Sequence, residues 1–281
     1  MGKVIKNIQA FVESVDPDGE IVETPRSAEH FDDNGNKIRE VSYDMTGAEE
    51  SSTTWEFNEA AQLIRRIESS YGEMMEDVLI SYQDAKQSLQ EITYGQGGKT
   101  LAEFIYGEGS LIIQKKDEDG ELEEKESYLF KDDLILQKEV YDEDGTLASS
   151  LKNKFSDEGK VLERIEFDVN DGFEMRKNFE YNDAGSLVAV VSFRAKKKIG
   201  SASLEYDGKG NRISEIHNDS TQIKTEYDDE NRVLKNEVWN MQQNMVERYS
   251  KFTYEEDRVI EEEFYDYQKS MEVVKYKYEF Y

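Results

Sequence analysis

Four acidic loops offer the most chemistry in this chain. Asp-x-Asp-Gly occurs at Asp16, Asp117 and Asp142, and Asp32-Asp33-Asn34-Gly35 is of the same type. Closely spaced carboxylates of this kind open a calcium loop, which needs about six to eight oxygens and usually a bidentate carboxylate further along. Only the first part of such a loop is present each time. Asp, Asn and Gly are also what a tight turn requires, because an Asx side chain bonds its own backbone two residues on and Gly supplies a positive φ. The loops therefore read as turns, and no metal or cofactor is expected.

Catalytic groups are sparse. His30 and His217 are the only histidines and there is no Cys, so a typical zinc set cannot be completed, and no nucleophile elbow or Gly-rich phosphate loop occurs. With 63 acidic residues, any fold brings some carboxylates close, so paired-carboxylate catalysis has no distinguishing signature. An enzyme is not expected.

Binding chemistry has three candidates. Arg194, Lys196, Lys197 and Lys198 form a basic cluster where a turn should fall, either a solvated tip or a contact for an anionic ligand or acidic surface. Trp55 and Trp239 could stack on sugars or partner side chains, or simply pack on the sheet. The segment from Val273 to Tyr281 alternates Val, Tyr and Phe with Lys and Glu. It reads as a final edge strand, in which Tyr276 and Tyr278 would meet a partner added by β-augmentation. Alternatively, Lys275, Lys277 and Glu279 act as gatekeepers against such pairing.

These residues sit on a repeat. The aromatics that precede the main turns are Phe31, Phe57, Tyr82, Tyr106, Phe130, Phe155, Tyr181, Tyr206, Tyr227, Tyr254 and Tyr278, at steps of 21 to 27 residues. A period near 25 marks a repeat architecture. A second set lies between them, including Tyr43, Tyr71, Tyr94, Tyr141, Phe167, Phe193, Trp239 and Tyr265, so each repeat holds two turns and two strands. Phe155, Val161 and Phe167 lie six apart, as do Tyr181, Leu187 and Phe193, and Tyr227, Val233 and Trp239. An even spacing puts each trio on one sheet face if the turn preserves the pleat.

The expected fold is all-β: a long antiparallel up-and-down meander of about 20–22 short strands, forming a twisted or coiled open sheet. Residues 1–30 are expected to form an irregular N-terminal cap, with a turn at Asp16-Pro17-Asp18-Gly19, and residues 31–281 a single β-hairpin repeat domain.

Tyr-Asp-x-x-Gly followed by an aliphatic residue, as at Tyr141 and approximately at Phe155, Tyr181 and Tyr227, resembles the YD repeat of the RHS family. It is also similar to variant MORN repeats of bacterial proteins. The period here is longer than in the usual YD repeat, and Arg rarely follows the turn Gly. The resemblance implies strips of β-hairpins and a bacterial protein of the envelope or cell surface, without assigning any functional residue.

Charge bounds the partners. The 63 acidic and 35 basic side chains give a net charge of −28, which opposes binding to nucleic acid phosphates and to anionic membranes. No apolar run is long enough for a membrane-spanning helix, and no membrane insertion is expected. The expected function is a non-catalytic repeat scaffold of the bacterial envelope or surface that presents a sheet to protein or glycan. The alternatives are an antitoxin- or immunity-like inhibitor of a basic partner, and a carbohydrate-binding module or glycoside-active enzyme.

Overall fold

The computed structural model describes residues 4–15, 20–267 and 269–281. The turn chemistry read from the sequence is visible directly. At Asp142, the backbone N–H bonds the Thr146 carbonyl at 3.0 Å, Gly145 N–H returns to the Asp142 carbonyl at 3.1 Å, and the carboxylate accepts from Thr146 N–H at 2.8 Å. Gly145 has φ 80°, the left-handed value that closes this turn without a Cβ clash. Such turns alternate with shorter ones, so consecutive strands run antiparallel.

Among the described residues twenty-two strands result, from β1 (Ile5–Val15) and β2 (Ile21–Phe31) to β21 (Arg258–Asp266) and β22 (Lys269–Phe280). Each pairs with the next, and β22 pairs with β1: Ile8 lies opposite Tyr278, and Val12 opposite Val274. The sheet is thus a closed barrel, which corrects the expected open one. An open sheet would leave a row of unsatisfied N–H and C=O groups along both terminal strands. Closure joins them, and the seam is charge-complementary: Lys275 reaches Glu13 at 2.5 Å, Lys6 reaches Glu279 at 2.9 Å, and Lys277 pairs with Glu23.

Two further expectations change. The stretch 1–30, read as an irregular cap, holds β1 and nearly all of β2, both full members of the ring. Its turn at Asp16 to Gly19 lies outside the described residues. The aromatic trios do not share a face. In β13 (Val161–Asp168), Val161 lies opposite Phe155 but Glu163 lies opposite Lys154, so Leu162 is an extra, bulged residue. One inserted residue reverses every side chain beyond it, and Phe167 faces away from Phe155.

The same bulge recurs around the ring. Followed through the pairings, all eleven main aromatics fall on one face, called here the anchor face. Tyr43, Tyr141, Phe167, Phe193, Trp239 and Tyr265 lie on the opposite face. The wall is one sheet thick. Every residue of β13 is partly exposed although successive side chains point to opposite sides, so water reaches both faces. Among the described residues, full burial is confined to a few positions such as Ala28, Val41, Val78 and Val274.

Candidate functional site

The acidic loops at Asp32, Asp117 and Asp142 are turns in geometry as well as in sequence. Asp117 accepts from Asp119 N–H at 3.0 Å and Glu121 N–H at 2.8 Å; Asp32 accepts from Asn34 and Asn36 N–H at 2.9 and 2.8 Å. Hydrogen bonds from Asn36 hold the Asp32 carboxyl below its usual range. Among the described residues no group of three or more His, Asp or Glu is arranged to hold a metal ion.

The basic cluster caps a hairpin. Arg194 ends β15 (Leu187–Arg194), Lys197 begins β16 (Lys197–Tyr206), and the two lie opposite each other. The Ala195-Lys196 tip has φ of 44° and 70°, the conformation of a two-residue turn matched to strand twist. The Arg194 guanidinium packs 3.4 Å from the centre of the Phe173 ring. Phe173 opens β14 (Phe173–Tyr181).

Beside this turn lies an open cleft of about 570 Å³, lined by Phe173, Glu174, Arg176, Asn178, Phe193 and Lys196 together with Gly172 and Ala195. On the face opposite the anchors, Phe193 stands between Arg176 of β14 and Lys198 of β16, its direct cross-strand partners. Arg176 is 3.7 Å from both Glu163 and Glu174, too far for a hydrogen bond to either. Asn178 Oδ1 is buried without a donor.

The remaining sequence candidates are elsewhere. Trp239 lies in β19 (Val233–Asn240); its Nε1 donates to Glu237 at 2.9 Å, and Lys224 Nζ covers its ring at 4.2 Å. Trp55 has Lys37 Nζ at 5.4 Å from its ring. Tyr276 and Tyr278 belong to β22 and project on the anchor face, where Tyr276 bonds Glu262 at 3.2 Å and Tyr278 the Val259 carbonyl at 2.7 Å. The expected free edge beside them is occupied by β1, so β-augmentation at this strand has no unpaired ladder to use.

One cluster escaped the sequence reading. Glu126 of β10 (Leu122–Lys131) is only 9% exposed and receives Lys138 at 2.7 Å, Tyr128 Oη at 2.5 Å and Lys115 at 3.1 Å. Burial raises its pKa, but the hydrogen bonds from Lys138, Tyr128 and Lys115 outweigh burial and bring it to about 2. The network ties β10 to β9 (Ser110–Lys116) and β11 (Leu134–Tyr141). The parity of Glu126 with the anchor Phe130 signals its face. Its lysine partners depend on registers that bulges set.

No protein-family model matches the chain, and no curated protein matches it. Among solved structures it is similar to TcdB2-TccC3-TEV, at 12% identity over 94% of this chain and 16% of that one, with a TM-score of 0.37. It is similar to a Photorhabdus luminescens Tc holotoxin pore structure at 12% identity over 93% of this chain and 14% of that one, TM-score 0.38. A porin-like protein from Bacteroides uniformis is 10% identical over 99% of both chains, TM-score 0.36. The chain spans less than a fifth of the two toxin chains, and likeness at these scores assigns it neither family nor function.

Proposed function

We propose that this protein is a non-catalytic scaffold of the bacterial envelope or cell surface whose hydrated barrel wall binds protein or glycan. The supporting observation is its surface. The accessible area is 18248 Å², against about 12,400 Å² for a compact monomer of 32.7 kDa. Such a molecule commits its residues to two wetted faces rather than to a dry interior in which pKa values could be tuned for catalysis.

Neither face suits lipid. A membrane barrel needs an apolar outer band about 25 Å tall. Arg65, Asp77, Lys116 and Arg176 interrupt one face, and Glu126, Lys138, Arg164 and Lys177 interrupt the other. The envelope assignment rests on the resemblance of the turn motif to YD repeats.

The test is binding without turnover. Immobilised protein is exposed to arrayed glycans and to an envelope extract of the source cells, and each retained ligand is checked by mass spectrometry. Saturable retention of unaltered ligand is expected; a chemically converted ligand overturns the reading. The net charge of −28 favours a second reading, inhibition of a basic protein. It is distinguished by a one-to-one complex with such a protein, whose association slows steeply as salt rises.

A further inference from the structure

We propose that the barrel end at which the odd-numbered strands finish carries a docking edge for a cationic amphipathic helix of a partner protein; this deepens the protein-binding reading above and rests on it. The first observation is where apolar side chains are exposed. Among the described residues the four most exposed large apolar side chains are Met45 at 97%, Ile21 at 68%, Tyr71 at 66% and Tyr267 at 62%. Ile21 opens β2, Met45 lies in the turn between β3 (Lys37–Tyr43) and β4 (Glu49–Phe57), Tyr71 in that between β5 (Leu63–Ser70) and β6 (Glu73–Gln83), and Tyr267 follows β21. Because β22 pairs with β1, these belong to four consecutive hairpins at one end. Met74 and Met75, also exposed, extend the patch along β6. The turns do not need such residues. Around Met45, Gly47 N–H bonds the Asp44 carbonyl at 3.0 Å and Thr46 N–H the Asp44 carboxylate at 2.8 Å, without its side chain. At the opposite end the turns that follow even-numbered strands, such as Asp84-Ala85, Asp132-Asp133 and Glu256-Asp257, hold no large apolar residue.

The second observation is charge, and it selects the occupant. Glu50 and Glu73 have no cation in ion-pair range among the described residues, and the charge of Glu50, with Asp44 adding to it, holds the Tyr71 hydroxyl above its usual pKa. Arg26, which lines a cleft with Met45, is paired with Glu272, and Lys99 at the start of β8 (Lys99–Gly107) with Glu91. The edge is therefore apolar in a negative field, on a chain of net charge −28. A second copy or an anionic bilayer would bring like charge against it. A helix with one apolar and one basic face satisfies both features, and methionine, flexible and polarisable, moulds to such a face. Neighbouring hairpins are about 12 Å apart along the rim, so the four span roughly 35 Å, the length of a helix of about 23 residues.

Calorimetric titration of the whole protein with an amphipathic Leu-Lys helix of about 23 residues and with an oligolysine of the same charge tests this. The Leu-Lys helix is expected to bind at least about tenfold more tightly than oligolysine at physiological salt, where charge alone is screened. Combining Met45→Gln, Tyr71→Gln and Met75→Gln should weaken it about tenfold or more, with melting temperature recorded to confirm folding. Ile105→Gln, at an exposed apolar position on the other rim, should leave binding unchanged; a loss there as large as in the triple variant overturns the proposal. So does the absence of Leu-Lys binding up to millimolar concentration, equal binding of oligolysine, or indifference to the triple variant. Self-association of the protein alone that the triple variant abolishes overturns it in favour of a second copy, and flotation with zwitterionic vesicles that the variant abolishes does so in favour of lipid. Chemical conversion of a ligand retained in the binding screen sinks the scaffold reading and leaves the peptide result standing, so the two ideas fail separately.

Discussion

Tyr181 Oη donates a 2.9 Å hydrogen bond to the carbonyl oxygen of Val161, fastening the end of β14 to the start of β13. The bond recurs from Tyr82 to Leu63, Tyr206 to Leu187, Tyr227 to Arg212, Tyr254 to Val233 and Tyr278 to Val259, at 2.7 to 3.1 Å. At these six positions the anchor tyrosine therefore does two things: its ring covers the anchor face, and its hydroxyl satisfies a carbonyl beside the bulge. Where the anchor is Phe, as at Phe155, only the first is available.

Tyr181→Phe keeps the ring and removes the donor, so it should cost about 0.5–1.5 kcal/mol in urea denaturation. Tyr181→Ala should cost more, because the ring's buried area goes too. Equal stability of Tyr181→Phe and the unaltered protein would show that the carbonyl is served as well by water.

Acid should weaken the barrel through Glu126. Its folded-state pKa of about 2 lies below the ordinary Glu value of about 4.3. A depressed carboxylate contributes stability that is present above the unfolded-state pKa and is lost as pH falls through the folded one. That loss should therefore run from about pH 4.3 down to about pH 2. Glu126→Gln should lower stability at pH 7 by about 1.5–3 kcal/mol and flatten this part of the pH profile. An unchanged acid limb in Glu126→Gln would place the sensitivity elsewhere.

Small-angle scattering should distinguish the closed ring from an open strip. With strands about 4.8 Å apart and tilted about 40°, a circular ring of 22 strands is roughly 44 Å across and has a radius of gyration of about 23 Å. A compact chain of this length gives about 19 Å, and a flat open sheet roughly 100 Å long gives about 30 Å. A value near 30 Å would mean that β1 and β22 separate in solution. At the seam, Lys275→Glu should destabilise, and adding Glu13→Lys should recover part of the loss.

Calcium should leave the melting temperature unchanged at millimolar concentration, because Asp32, Asp117 and Asp142 are engaged with their own turns. A site filled at 100 times its dissociation constant would add about 2.7 kcal/mol, which a melting curve would register. Flotation with anionic vesicles should likewise leave the protein in the aqueous fraction, since charges interrupt both faces.

The sequence by itself determined the hairpins. The anchors recur about every 25 residues, and each described Asp-x-x-Gly stretch closes a turn through bonds within five residues of chain, as at Asp142 and Gly145. Local chemistry of that kind is written in local order. The tertiary structure decided what the hairpins add up to. Pairing of Ile8 with Tyr278 depends on twist accumulated over the whole sheet and on two terminal strands that meet in register with complementary charge. The bulge at Leu162 sends Phe167 to the face opposite Phe155, a reversal that even spacing conceals. The partners of Glu126, and the placing of Phe193 between Arg176 and Lys198, follow from strand registers, and a register is a property of two strands held together.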